Sequence, residues 1–117
     1  MPHIDLYGIP NCDTVKKARV WLESHGLAYT FHDYKKEGAD PGKVASWIAA
    51  AGLDQIVNRK GTTFRKLTED EQAAAADSHT AVALLVQHTS VIKRPIVEYP
   101  GGVLVGFKED EWRVLLD

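Results

Sequence analysis

The sequence predicts an α/β fold, a small mixed β-sheet flanked by helices, with a helical insertion between a βαβ half and a ββα half. Three observations predict it. The alternating run His3-Ile4-Asp5-Leu6-Tyr7 passes through turn formers into a helical pattern and then into a second β-rich run. The middle of the chain carries helix-opening signals and an alanine-rich stretch. Two short β-rich segments joined by Pro100-Gly101-Gly102 then precede a closing helix.

The first strand is read at His3 to Tyr7, where polar and apolar side chains alternate, and Gly8-Ile9-Pro10-Asn11 ends it as a loop that delivers Cys12. From Asp13, residues Val15, Ala18, Trp21 and Leu22 form an apolar stripe, Lys16, Lys17, Arg19 and Glu23 lie off it, and Gly26 is the stop. Leu27 to Tyr34 is aromatic and β-rich and follows after a minimal connection, so it is read as a strand parallel to the first. Lys35 to Ala39 is read as a polar linker, and Asp40-Pro41 as the cap and first residue of a helix running to Gly52.

Residues 53–65 show no clear period, and Asn58-Arg59-Lys60-Gly61-Thr62-Thr63 is suited to an exposed functional loop. Thr68-Glu69-Asp70-Glu71 reads as a capping box. Ser78 opens a further helix, apolar through Val82, Leu85 and Val86. Ile96 to Tyr99 and Val103 to Phe107 are read as an antiparallel hairpin, and Lys108 to Leu116 as a short helix. This is the element order of a thioredoxin-like sheet, with residues 1–117 as one domain and the insertion spanning roughly residues 40–90.

Composition narrows the function classes. At 117 residues, with 44% hydrophobic and 26% charged residues, the chain is neither disordered nor fibrous in type. A net charge of −2 without any Lys/Arg run longer than two residues lacks the basic footprint of direct nucleic-acid binding. The longest strongly apolar stretch, Ala81 to Val86, is far too short to span a bilayer, so a soluble, cytoplasmic protein without membrane contact is expected. One cysteine forms no internal disulfide, and His3, His25, His32, His79 and His88 make no ligand-spaced helical pair. No metal is expected.

Cys12 is the first candidate for chemistry. It precedes a helix that follows a strand and a tight loop, where free N–H groups and the helix dipole favour the thiolate, the reactive form. Lys16, one turn on, adds positive potential when its side chain bends back. A lone cysteine is ordinarily a small buried apolar residue, but apolar packing does not call for Asn11 before it and Asp13 after it. Arg94, before Pro95 and the hairpin, offers a planar, permanently charged fork for a carboxylate or oxyanion, although one arginine before a strand is ordinarily a solvated charge. Arg59, with Thr62, Thr63 and Arg65 nearby, is a weaker signal of the same kind. A thiolate with two separated arginines is what attack on an oxyanion or a glutathione-bearing disulfide requires. Trp21, Trp47 and Trp112 are read as core anchors.

The segments Tyr7 to Ala18, His32-Asp33-Tyr34, Asn58 to Leu67 and Ile92 to Val97 resemble the arsenate reductase (ArsC) family, specifically its branch containing Spx and the YffB-type proteins. The likeness runs over essentially the whole chain. It implies a thioredoxin-like fold with a helical insertion, a nucleophile at Cys12, a cis proline at Pro95, and Arg59 and Arg94 as contacts of an oxyanion or thiol substrate. It also implies glutathione as co-substrate and glutaredoxin as a partner, with no tightly bound cofactor. Asn11 would position the sulfur within its loop. Two departures limit the transfer. Arsenate reductases of the family supply a further arginine where this chain has Gly106-Phe107-Lys108, and Spx regulators commonly carry a second cysteine where this chain has Val15. The leading expectation is a thiol-dependent oxidoreductase. The alternative is an Spx-like regulator that binds RNA polymerase without turnover.

Overall fold

The computed structural model describes residues 3–116, and the chain divides into two compact units. One combines the chain up to Tyr34 with the chain from Arg94 onward, and the other is Lys35–Lys93.

The first unit is built on four strands, β1 (Ile4–Gly8), β2 (Tyr29–Asp33), β3 (Ile96–Tyr99) and β4 (Gly102–Val105), in the order β2-β1-β3-β4. β1 and β2 are parallel, and β3 is antiparallel to both β1 and β4. The register aligns Leu6 with Val97 and Val97 with Leu104, so one face carries a row of apolar side chains. Two helices bury their stripes there. Helix α1 (Asp13–Ser24) contributes Val15, Ala18, Trp21 and Leu22, and the C-terminal helix (Glu109–Leu116) contributes Trp112. Edge-to-face contacts of Trp112 with Trp21 (5.7 Å) and with Phe107 (4.8 Å) close the cluster. Trp21 and Trp112 are core anchors as expected, and Trp47 is equally buried.

Helix α1 ends at Gly26 because the turn needs a positive φ, here 66°. Gly26 donates to Glu23 and Leu27 donates to Leu22, the paired bonds of a Schellman motif. The other sheet face is polar at its centre. His32 stacks on Tyr7 at 4.5 Å and shares a 2.8 Å contact with Asp5, and Tyr7 donates to Glu98 at 2.9 Å.

The second unit is helical. Its elements begin with the single turn α2 (Tyr34–Glu37), whose first residue belongs to the first unit, and α3 (Pro41–Ala51). They continue with α4 (Leu53–Ile56), α5 (Thr62–Arg65), α6 (Glu69–Ala74) and α7 (Ser78–Gln87), with α8 being the C-terminal helix already described. Asp40 caps α3 by accepting from the Lys43 N–H at 3.0 Å, with Pro41 in the first turn, as expected. Thr68 and Glu71 form the expected capping box of α6. Helices α3 and α7 pack together, and Val44, Trp47, Ile48, Ala81, Leu84 and Leu85 are buried. Asn58 donates to Val91 (2.7 Å) and Lys93 to Ile56 (2.8 Å), crossing the isolated bridge between Val57 and Ile92.

Several boundaries differ from the sequence reading. β1 runs one residue further and β2 is shorter at both ends, because Tyr34 starts a helical turn that also takes Lys35, Lys36 and Glu37 from the expected linker. β4 ends at Val105, where Gly106 turns the chain at φ 75°, and Phe107 packs into the core. The buried stripe of α7 is Ala81, Leu84 and Leu85, whereas Val82 and Val86 are half-buried, since helical period brings positions three and four apart onto one face. Asp77, not Ser78, supplies the α7 cap, accepting from His79 N–H at 2.9 Å. The expected loop at Asn58 to Thr63 is largely half-buried, and its last two residues open α5. Within the described residues no helix is long and apolar enough to cross a membrane.

Candidate active site

The parallel pairing of β1 with β2 aligns Gly8 with Asp33, and the antiparallel pairing with β3 aligns Tyr7 with Ile96. The carboxyl ends of β1 and β2 and the amino end of β3 therefore meet at one end of the sheet. Three chain segments are gathered there: the loop to Cys12, the step from Asp33 to Tyr34, and Arg94-Pro95.

Cys12 is the N-cap of α1, with extended backbone (φ −107°, ψ 124°), and its carbonyl accepts the Lys16 N–H at 2.9 Å. Its side chain makes no capping hydrogen bond. Serine, threonine, aspartate or asparagine at this position ordinarily stabilises a helix by about 1 kcal/mol, which the cysteine gives up. The sulfur is half-buried against the core cluster. Gly8 sets its distance from the sheet, because a Cβ there would lie 2.8 Å from Cγ2 of the fully buried Val15. Asn11 and Lys16, the flanking candidates, are both exposed.

Arg94 and Pro95 are joined by a cis peptide bond, the geometry expected at this position. Pro95 is buried and its carbonyl accepts the Gly106 N–H at 2.8 Å, which ties the start of β3 to the end of β4. Arg94 is half-buried and lies within electrostatic reach of the hydroxyl of Tyr34, a residue only 2% exposed. Burial pushes the Tyr34 hydroxyl well above the usual tyrosine range. Arg94 pulls it partly back, and the Asp33 carboxylate pushes it further up. Tyr34 is thus within electrostatic reach of both Arg94 and Cys12.

Sequence reasoning gave Tyr34 no role. It stands in His32-Asp33-Tyr34, one of the segments that carry the family resemblance, but an aromatic residue at the end of a β-rich run reads as strand. The sheet register is what brings it to the same end of the sheet as Arg94.

Arg59 belongs to the second unit. Its Nη1 lies 3.1 Å from Asp54 and its Nη2 donates to the Ala75 carbonyl at 3.4 Å. Asp54 is 89% exposed, and such an ion pair contributes about 0–1 kcal/mol, so the guanidinium is readily exchanged onto another anion. Lys108, where arsenate reductases would carry a further arginine, is exposed, and its carbonyl accepts the Trp112 N–H. Val15, where Spx regulators commonly carry a second cysteine, is fully buried in the core. Among the described residues no group of three or more His, Cys, Asp or Glu side chains is placed to hold a metal ion.

The fold has close counterparts among solved structures. The structure of the YFFB (PA3664) protein is 47% identical, superposes with a TM-score of 0.92, and pairs 97% of this chain with 99% of that one. An arsenate reductase (ArsC) related protein from Brucella melitensis is 45% identical, with a TM-score of 0.74, over 98% of this chain and 95% of that chain. The global transcriptional regulator Spx of Listeria innocua is 30% identical over 115 residues, 97% of this chain and 86% of that protein. The sequence pattern of the ArsC family matches residues 7–115, so this thioredoxin-like chain belongs to the ArsC family, in the branch that holds the Spx and YffB-type proteins.

Proposed function

We propose that this protein is a thiol-dependent oxidoreductase that uses Cys12 as its nucleophile and an external thiol, glutathione or glutaredoxin, as its reductant. The observation that carries the reading is the placement of Cys12 as an uncapped helix N-cap at the sheet end where Arg94 and Pro95 lead into β3. A thiolate there is stabilised by the first-turn N–H groups and the helix dipole. On a glutathione mixed disulfide, the Cys12 thiolate attacks the glutathione sulfur, forming a new S–S bond and expelling the substrate thiolate, which takes a proton. A second glutathione thiolate then attacks the adduct, releasing oxidised glutathione and restoring Cys12. On arsenate, an S–As bond forms as water leaves, and two thiol equivalents deliver the electrons that yield arsenite and a disulfide.

Arg94 and Arg59 are the candidate contacts for the negatively charged acceptor, with Lys16 adding positive potential and Asn11 and Pro95 shaping the loop around the sulfur. No tightly bound cofactor or metal enters this scheme, and the two compact units are read as one domain with a helical insertion.

Turnover is tested with arsenate and with the mixed disulfide of glutathione and 2-mercaptoethanol, coupled to glutathione reductase. Saturable turnover is expected, abolished by Cys12→Ser and with KM raised roughly tenfold by Arg94→Gln. Wild-type protein that gives only the background rate contradicts the reading.

A second reading is favoured by the Listeria Spx relative: a regulator that contacts RNA polymerase without turnover. The buried Val15 removes the internal dithiol switch that Spx chemistry would use. Stoichiometric co-purification with polymerase, in the absence of turnover, would replace the first reading with this one.

A further inference from the structure

We propose that Glu71 and His88 are positioning residues for Arg59: their side-chain contact closes a ring of hydrogen bonds that holds the Arg59 backbone and guanidinium in one arrangement and leaves its charge for an oxyanion or carboxylate. The inference rests on the proposed function only in taking Arg59 as an anion contact.

All members of the ring lie in the Lys35–Lys93 unit. From the Arg59 side chain, Nη2 donates to the Ala75 carbonyl at 3.4 Å, and the Ala75 N–H donates to the Glu71 carbonyl at 3.2 Å. The Glu71 carboxylate then spans two elements. Its Oε1 accepts the Thr68 N–H at 2.9 Å in the capping box of α6, and its Oε2 meets Nε2 of His88 at 3.0 Å. The Thr68 amide holds this carboxyl below the usual glutamate range, and an ionised carboxylate only accepts, so Nε2 of His88 is the donor. The His88 carbonyl accepts the Val91 N–H at 2.9 Å across the short helical turn Thr89–Val91, and the Val91 carbonyl accepts the Asn58 N–H at 2.7 Å. Asn58 precedes Arg59, and the ring is closed.

The contact between Glu71 and His88 is the link made by two side chains, so it can be removed while the backbone bonds stay in place. The hold on Arg59 suits an anion site. Ala75 is the C-cap of α6, and its carbonyl is a neutral acceptor that orients the guanidinium without cancelling its charge. Asp54, on Nη1, is 89% exposed and is the partner a ligand would replace. With the ring open, the Ala75 carbonyl and the Asn58 amide move independently, and the Arg59 fork is no longer preorganised before an anion arrives.

The test follows the Arg59 Nε–H of isotope-labelled full-length protein by NMR relaxation, the resonance being assigned by its loss in Arg59→Lys. In wild-type protein its order parameter is expected to approach that of ordered backbone, about 0.85. Glu71→Ala and His88→Ala are each expected to lower it below about 0.6, and the double variant to go no lower than either single one. Thr68→Ala weakens the cap of α6 but leaves the ring intact, and is expected to keep the wild-type value. An Arg59 that is already flexible in wild-type protein, or equally rigid in both single variants, overturns the proposal. So does an equal loss in Thr68→Ala, which marks a purely structural role of α6. Should Glu71→Ala lose its cooperative melt, His88→Ala decides, because it leaves the capping box in place. A titration with inorganic phosphate on the same resonance is expected to give a dissociation constant roughly threefold higher in His88→Ala than in wild-type protein, and an unchanged constant overturns the proposal. Phosphate that leaves the wild-type resonance unmoved removes Arg59 from the proposed function, while the ring stands on the relaxation result.

Discussion

Cys12 occupies a position where helix stability asks for an oxygen-bearing cap, and the chain places there its one thiol. A local rule broken without a compensating side-chain bond is the kind of departure that marks function. Tyr34 likewise puts a polar tip in a buried position, within electrostatic reach of Arg94. Its titration gives a stability prediction with a definite sign. The folded protein holds the Tyr34 proton more tightly than the unfolded chain, where tyrosine ionises near 10.0. The contribution is therefore intact below that pH and is lost as pH rises above it. Urea midpoints measured at about pH 8 and about pH 11 should fall more in wild-type protein than in Tyr34→Phe. Tyr29, also raised, moves in the same direction in both proteins and leaves the difference to Tyr34. An equal fall in the two proteins would contradict the assignment.

At the scale of elements, the close approach of α1 to β1 is what sets the Cys12 loop. Gly8 permits it, because a methyl group there would meet the stiff, fully buried Val15 side chain. Gly8→Ala forces either Val15 or the first turn of α1 to move. The expected cost is about 1–3 kcal/mol, read from denaturant unfolding, together with a change in Cys12 alkylation rate. Stability and rate both at wild-type levels would show that the contact relaxes without shifting the helix start. Elements also show where sequence reading stops. The α1 stripe, the Asp40-Pro41 opening and the Thr68 capping box were legible because each is carried by neighbours in sequence. Helices α4 and α5 were not, since a four-residue turn has no period to detect. The α7 stripe was misplaced by one position because Ala81 and Leu84 are buried beside a run of equally apolar residues.

At the scale of the molecule, the ββα and βαβ halves form one sheet although the Lys35–Lys93 unit separates them in sequence. The element order and the family resemblance sufficed to predict that architecture. They also predicted Cys12 at a helix start and Arg94-Pro95 at a strand start. The placement of Tyr34 at the same sheet end as Arg94 was beyond them, since the two are far apart in sequence and only the sheet register aligns their strand ends. The membership in a family that includes regulators as well as reductases leaves the chemistry of one sulfur as the point on which the account turns.

The rate of Cys12 alkylation by iodoacetamide at neutral pH, in folded and in urea-unfolded protein, tests that point most directly, with arsenate or glutathione as protectant. The account predicts that the folded protein reacts roughly tenfold faster or more and that either protectant slows it. A folded thiol that reacts no faster than the unfolded one, and that neither ligand protects, would contradict it.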